Sequence, residues 1–157
     1  MIDVRKIQLN ESVVVDTTIN IAMPRDFDVA DAKVDVVGRL TNVDDIFVLD
    51  AQANCQLFAV CSRCLRPVEH QLSFRINESF VEKEPATPED IVFSDKSIDI
   101  LPAVQRNLFP NIPMKLLCIV DCAGLCSRCG KNLNEGGCDC EGEINEQFRE
   151  LLQFFED

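Results

Sequence analysis

The sequence predicts an α+β protein with an antiparallel β-sheet or partial barrel, two short helices and a cysteine-rich, zinc-binding C-terminal region. Two observations carry this prediction. An apolar residue occupies every second position from Leu49 to Cys61, and six of the nine cysteines fall between Cys118 and Cys140. Period-two alternation is typical of a strand with one buried face. Closely spaced cysteine pairs are typical of zinc sites.

The first half of the chain is predicted to be β-rich. Short apolar stretches, separated by turn-forming proline, aspartate and asparagine, predict strands at 4–9, 12–22 and 33–41. The alternating stretch predicts the next strand at Leu49–Cys61, and a second one at Val68–Ile76 predicts its antiparallel partner. The turn between these two strands carries a Cys-x-x-Cys sequence, so we expect a metal site at the end of a hairpin.

An acidic stretch with two prolines, residues 82–96, predicts an exposed loop with a short returning strand at 91–93. Ser97–Asp99 offers an N-cap for a first helix that ends at Phe109–Pro110. A second helix is predicted to begin at Asn145, with one apolar stripe that docks on the protein's own core rather than on a partner. The stripe consists of Phe148, Leu151, Leu152 and Phe155.

The loop also divides the chain into two regions, which we expect to form one folded unit. Residues 1–96 form the β-rich region with the Cys-x-x-Cys hairpin. Residues 97–157 contain the first helix, the cysteine-rich zinc region and the C-terminal helix. The length of 157 residues is that of one domain, or of a domain with a small appendage.

The cysteines supply ligands for two zinc ions. Cys126 and Cys129 form a Cys-x-x-Cys pair, and a second pair follows nine residues later, which is enough for a closed tetrahedral site. The tetrapeptide Cys-Ser-Arg-Cys at 126–129 also occurs at 61–64. The remaining cysteines form a second site if the fold brings them together. The expected groups are Cys126, Cys129, Cys138 and Cys140 for the local site, and Cys61, Cys64, Cys118 and Cys122 for the site that joins the two regions.

A disulfide framework is the rival interpretation of so many cysteines. The cysteine count is odd, and the N-terminal residues contain no apolar signal segment, which favours a cytoplasmic location with reduced thiols. No apolar run approaches the ~20 residues of a transmembrane helix, so no membrane association is expected.

Cys55 falls on the buried face of its strand and is expected to be a core residue. His70, the single histidine, is likewise expected in the core rather than at a metal.

The charge of the chain restricts its partners. The formal net charge is −12, a surface that repels phosphate backbones as a whole and suits basic partners. The cysteine regions are locally basic, with Arg63, Arg66 and Arg128 close to the thiols. Two interpretations of these arginines stay open: they offset the negative charge of thiolate zinc sites, or they make a small contact with nucleic acid.

The sequence lacks the signatures of an enzyme. It contains no glycine-rich phosphate loop, no paired histidines at metalloprotease spacing and no Ser-His-Asp set. A catalytic zinc keeps an open coordination position, whereas four-cysteine sites are closed. We therefore expect a non-enzymatic protein with no small-molecule substrate.

Several motifs together resemble a known family. The C-terminal half contains Gly124-Leu125-Cys126, Cys129-Gly130 and Asn132-Leu133-Asn134, after the earlier Cys61-Ser62-Arg63-Cys64-Leu65. Over about residues 50–157 this order is similar to that of the YceD family, the large ribosomal RNA subunit accumulation proteins. The resemblance implies a non-enzymatic protein needed for normal levels of large-subunit ribosomal RNA, and it supplies no catalytic residues.

We therefore expect a factor in large ribosomal subunit biogenesis that supports synthesis, processing or accumulation of large-subunit ribosomal RNA. A basic ribosomal or RNA-binding protein is the expected partner, with ribosomal RNA itself bound indirectly or weakly. Two alternatives remain: a zinc-ribbon adaptor in transcription, and a thiol redox or metal-carrier protein. A carrier must release zinc easily, and an adaptor should co-purify with polymerase rather than with ribosomal precursors.

Overall fold

Long strands form the body of the protein. The computed structural model describes residues 1–5, 7–23, 29–82 and 87–140. Strand β1 is Ile2–Asp3, and the elements that follow are β2 (Ser12–Ala22), β3 (Val29–Val43), β4 (Ile46–Val60), β5 (Pro67–Val81), β6 (Ile91–Val92), β7 (Ser97–Ile98), helix α1 (Leu101–Leu108), and two 3₁₀ turns at Phe109–Asn111 and Leu133–Glu135.

The main sheet has the strand order β2-β3-β4-β5-β6. Strands β2 to β5 follow one another as antiparallel neighbours, but β6 pairs with β5 in parallel. The prediction of a purely antiparallel sheet is therefore wrong, although the predicted sheet itself is confirmed; the described residues are mainly β, with one short helix. Directly after β6, the Phe93 N–H donates to the Val81 carbonyl at 2.9 Å and continues the pairing beyond the strand.

The predicted strand boundaries hold best where alternation is strongest. The strand expected at Leu49–Cys61 is β4, which begins three residues earlier at Ile46, and its antiparallel partner is β5. The strand predicted at 4–9 is wrong, because the N-terminal strand is β1, which pairs with β7. Backbone turns replace ladder pairing there, with the Ile7 N–H donating to the Val4 carbonyl at 3.1 Å.

The buried face of the sheet forms the core with α1. Val34, Leu57 and Ile76, one from each of the three central strands, are fully buried, and α1 contributes Ala103, Val104 and Leu108. Cys55 is 3% exposed within this core, as predicted. His70 is only half-buried.

Helix α1 begins later than its expected N-cap. Ser97 and Ile98 form β7, and the N-cap position is Ile100, whose side chain makes no capping hydrogen bond. Asp99, one residue earlier, accepts a hydrogen bond from the Leu101 N–H through its carboxylate at 3.0 Å. The expected end at Phe109 is observed, and a 3₁₀ turn follows. The second predicted helix, from Asn145, lies outside the described residues. One helix is thus described where two were predicted.

Candidate metal centre

The first Cys-Ser-Arg-Cys sequence forms a tight turn between β4 and β5. We call residues Cys61–Arg66 the first knuckle. The Leu65 N–H donates to the Cys61 carbonyl at 3.0 Å, and the Cys61 N–H donates to the Arg66 carbonyl at 2.8 Å. Leu65 takes a left-handed conformation with φ of 58° to close this turn. The turn leaves both cysteines of the pair on the same side of the hairpin end.

The chain after α1 returns to this knuckle and brings two further cysteines. The Ser62 N–H donates to the Leu116 carbonyl at 2.8 Å, and the Leu116 N–H donates back to the Ser62 hydroxyl at 3.2 Å. The Arg63 guanidinium also donates to the Cys122 carbonyl at 2.7 Å. These contacts fix the segment that carries Cys118 and Cys122 against the hairpin.

Four sulfur atoms from these two segments form the first centre. The Sγ atoms of Cys61, Cys64, Cys118 and Cys122 all lie within 4.8 Å of one another. Cys61 Sγ and Cys122 Sγ are 3.7 Å apart, and Cys64 Sγ and Cys118 Sγ are 3.5 Å apart. A regular tetrahedron with Zn–S bonds of about 2.3 Å has sulfur–sulfur edges of about 3.8 Å, so the cluster has the size of a four-thiolate zinc site.

The second centre repeats the local geometry of the first. Residues Cys126–Lys131 form the second knuckle, in which the Gly130 N–H donates to the Cys126 carbonyl at 2.9 Å and the Cys126 N–H to the Lys131 carbonyl at 2.8 Å. Gly130 has a φ of 72°, where a glycine is not strained. The Sγ atoms of the second centre also lie within 4.8 Å of one another; its members are Cys126, Cys129, Cys138 and Cys140.

Backbone N–H groups favour the thiolate at the first cysteine of each knuckle. Burial opposes ionisation of Cys61, but N–H donors from Cys64, Arg63 and Cys118 outweigh it and lower the pKa of this thiol to about 6. At Cys126 the N–H groups of Cys129 and Arg128 have the same effect and also lower its pKa to about 6. Both knuckles therefore offer a metal ion a sulfur that is already stabilised as an anion.

In each centre one other thiol has a pKa that is shifted in the opposite direction. Burial and the neighbouring sulfurs raise the pKa of Cys118 to about 12. The contact with Cys129, together with burial, raises that of Cys140 to about 12. Four sulfurs at this separation cannot all ionise without a cation between them, and a divalent metal ion supplies that charge. The donor set thus fits zinc in both centres.

A short turn in the second centre contacts the first centre. The Asn134 side chain, in the 3₁₀ turn Leu133–Glu135, donates from Nδ2 to Cys122 Sγ at 3.3 Å. Burial opposes ionisation of Cys122, but this bond and the Gly124 N–H lower the pKa of its thiol. In the sequence Asn134 is recognisable only as part of a family motif, and this contact was not predicted. The sequence feature that could have indicated the contact is an asparagine placed between two cysteine pairs, because side-chain amides commonly form hydrogen bonds with nearby groups.

The two centres are chemically closed. Among the described residues, no histidine or carboxylate joins either sulfur cluster. Four thiolates fill the coordination sphere of zinc and leave no position for a water nucleophile, so the arrangement suits a structural metal rather than a catalytic one.

None of the described helices is long and apolar enough to cross a membrane.

Fold and site together define a mainly β protein with two four-cysteine clusters, each able to hold a metal ion. The chain belongs to the YceD family, described as large ribosomal RNA subunit accumulation protein YceD, whose profile matches residues 49–155. The matched region begins in β4 and includes both sulfur clusters, and the resemblance seen in the sequence is confirmed.

Comparison with individual proteins adds distant relatives. The chain is 26% identical over 128 residues to uncharacterized proteins of Mycobacterium tuberculosis (Rv2926c) and Mycobacterium bovis (Mb2951c). The match covers 78% of this chain and 62% of those proteins, so it spans less than two thirds of their length. No solved structure matches this chain.

Proposed function

We propose that this protein is a non-enzymatic factor in large ribosomal subunit biogenesis. It supports the synthesis, processing or accumulation of large-subunit ribosomal RNA, and it acts in the cytoplasm through a basic ribosomal or RNA-binding protein. The observation that carries this proposal is the family match over residues 49–155, since the family is described by the accumulation of that RNA. The family description names no reaction, which agrees with a protein that acts by binding.

Two structural zinc ions are part of the proposal. The sulfur–sulfur distances, the backbone N–H donors and the all-cysteine ligand sets support zinc in preference to hard cations, which require oxygen ligands. The ligands in this role are Cys61, Cys64, Cys118 and Cys122 in one centre and Cys126, Cys129, Cys138 and Cys140 in the other. The grouping of eight cysteines in two metal-ligand sets, the arrangement expected of cysteines in a reducing compartment, supports the cytoplasmic location.

The electrostatic field favours a basic protein over bare RNA. The formal net charge is −12, and each site in which four thiolates bind one zinc ion adds a net charge of about −2. The acidic loop between β5 and β6 is the proposed contact, with the exposed residues Glu82 and Glu89 at its two ends. Arg106 supports this loop, because its guanidinium donates to the Glu78 carboxylate at 2.9 Å and to the Glu89 carbonyl.

Crosslinking in cells, followed by identification of both the RNA and the protein attached, tests the proposal. We expect basic ribosomal or RNA-binding proteins and precursors of the large subunit. Removal of the two loop charges in Glu82→Gln with Glu89→Gln should reduce the protein crosslinks. Asp44→Asn with Asp45→Asn removes the same charge from the exposed β3–β4 turn and is the matched control. Recovery of RNA polymerase subunits instead would favour the transcription adaptor.

Binding to protein-free RNA provides the converse measurement. At physiological salt the purified protein should bind large-subunit RNA no more tightly than non-specific complexes, about 10⁻⁴–10⁻⁶ M. Retention by a basic partner should be stronger and should weaken as salt rises, because a Debye length of about 8 Å screens exposed charges. Nanomolar binding to bare RNA that Arg128→Glu abolishes would reverse the order of the two partners.

A further inference from the structure

Three residues of chain, Ala123–Leu125, separate the last cysteine of the first centre from the first cysteine of the second. Gly124 lies between them with a φ of 78°, and a Cβ atom there would approach the Arg63 carbonyl oxygen to 3.2 Å. A larger residue would therefore be strained by both conformation and contact. This glycine lets the connecting chain pass close to the first knuckle, so the two metal centres are immediate neighbours.

The loop between Cys129 and Cys138 folds back across this connection. The Leu133 N–H donates to the Gly124 carbonyl at 2.9 Å. Asn134 Oδ1 accepts from the Ala123 N–H at 2.8 Å, while Asn134 Nδ2 donates to Cys122 Sγ at 3.3 Å. A loop whose ends are anchored by one metal centre thus places a donor on a ligand sulfur of the other.

Asn134 is held in place for this contact. Its Nδ2 also donates to Asn132 Oδ1 at 2.7 Å, and its own N–H donates to the same oxygen at 3.0 Å. Each polar group of the Asn134 side chain has a partner, and the side chain is half-buried. The loop also contacts the first knuckle through an ion pair of Arg66 with Glu135, which is exposed and therefore weak.

We infer that Asn134 couples the two metal centres, so that a metal ion in the second centre strengthens metal binding in the first. The inference rests on the two-zinc part of the proposed function. Zinc at Cys129 and Cys138 fixes both ends of the loop, and the fixed loop presents Asn134 to Cys122. Without that metal ion, placing Asn134 costs conformational entropy, and the bond to Cys122 is weakened. Asn134 is a positioning residue that acts on zinc through the sulfur of Cys122.

The size of the coupling follows from the chemistry of second-layer donors. Loss of a hydrogen bond to a metal ligand typically lowers metal affinity by about 10–100-fold. Since coupling between two binding events is reciprocal, zinc in the first centre strengthens the second centre by the same factor. The two centres therefore load cooperatively.

Chelator competition on the full chain measures the dissociation constant of zinc at the first centre. Mass spectrometry after brief alkylation reports which cysteines have lost their metal. Cys140→Ser opens the second centre and should weaken zinc at the first by about 10–100-fold. Asn134→Asp removes the donor but keeps the acceptor, and it should weaken the first centre similarly even with both zinc ions bound. Asn77→Asp, the same change at an exposed site on β5, should have no effect.

The double variant distinguishes coupling from simple destabilisation. Adding Cys140→Ser to Asn134→Asp should weaken the first centre little further, because one route carries both effects. Asn134→Ala, which adds no charge, provides the same cycle if the aspartate variant does not fold. If Cys140→Ser leaves zinc affinity at the first centre within about twofold of wild type, the coupling is absent and the two-zinc proposal stands. Wild-type protein with fewer than two zinc ions would overturn both.

Discussion

The two knuckles have the same sequence and the same local structure but different surroundings. Cys61–Cys64 and Cys126–Cys129 share the letters Cys-Ser-Arg-Cys, and each is closed by the same two backbone hydrogen bonds. The first knuckle finds its partner cysteines in a distant segment, since Cys61 and Cys122 are 61 residues apart. The partner cysteines of the second knuckle, Cys138 and Cys140, follow it within a short loop. The same tetrapeptide therefore belongs to a centre that joins two distant segments in the first case and to a local centre in the second.

Burial separates the two centres further. In the first, Cys61, Cys64 and Cys122 are buried and only Cys118 is half-buried. In the second, Cys129 is exposed and no sulfur is buried. A buried centre that joins distant segments stabilises the whole fold, whereas an exposed local centre stabilises chiefly its own loop. The knuckle sequence therefore determines the local geometry of its two cysteines, and the surrounding chain determines which segments meet at each sulfur cluster.

Opening the first centre should have the largest effect. Cys64→Ser and Cys122→Ser should each cause a similar, severe loss of stability, and the double variant should lose little more, because one missing ligand already opens the site. Structural zinc contributes on the order of 10–16 kcal/mol in zinc-finger peptides, as much as the whole stability of a typical domain. Denaturant unfolding followed by circular dichroism, with zinc counted by elemental analysis, measures the loss.

The matched control is Cys129→Ser, the equivalent ligand in the second knuckle. It should lose one zinc ion and leave the unfolding transition of the sheet largely in place. Equal destabilisation by Cys64→Ser and Cys129→Ser would show that burial and sequence separation do not distinguish the centres. Additive losses from Cys64→Ser and Cys122→Ser would show that these two cysteines belong to different sites.

The order of thiol reaction should show a smaller, kinetic difference. Under limited chelator and an alkylating reagent, Cys129 and its three partners should be labelled before the sulfurs of the first centre, because they are more exposed. Cys55 should react last, since burial raises its pKa to about 11 and keeps the thiol protonated at neutral pH. Mass spectrometry of digests reads the order. Labelling of both centres at one rate would contradict the difference in exposure.

The same comparison shows what the sequence could predict. The alternation from Leu49 predicted β4 and β5, because burial of one face of a strand places an apolar residue at every second position of the sequence. The spacing of Cys126–Cys140 limited their grouping, since a short loop restricts which sulfurs meet. The grouping of Cys61 with Cys122 depended on where the chain returns after α1, which the cysteine spacing does not encode.

Other features left no sequence pattern. The parallel pairing of β6 with β5 involves two residues of each strand, too few for a period to appear. The sequence contains Asn134, but it does not predict the contact with Cys122, which forms only because the fold brings two loops together. Gly38 is another case: a Cβ atom there would lie 2.3 Å from the Asp50 carbonyl oxygen, so glycine in β3 allows the neighbouring strand to approach closely.

The smallest predicted difference concerns the residue that closes each turn. Leu65 and Gly130 occupy equivalent positions with φ of 58° and 72°. The left-handed conformation costs an ordinary residue roughly 1–2 kcal/mol and glycine almost nothing. Leu65 is 63% exposed, so little packing is lost when its side chain is removed. Leu65→Gly should therefore stabilise the protein by up to about 1 kcal/mol, after allowing for the greater freedom of glycine in the unfolded chain.

The reverse change, Gly130→Leu, should cost about 1–2 kcal/mol through the same strain, since no described residue other than its chain neighbours lies within 4 Å of a Cβ placed there. The cost should fall on the second centre, as faster zinc release, rather than on the sheet. Unfolding midpoints measure the first variant and zinc release rates the second. A destabilising Leu65→Gly would mean that the exposed leucine makes a contact that outweighs its backbone strain, and the two knuckles would then differ in what closes them as well as in what they join.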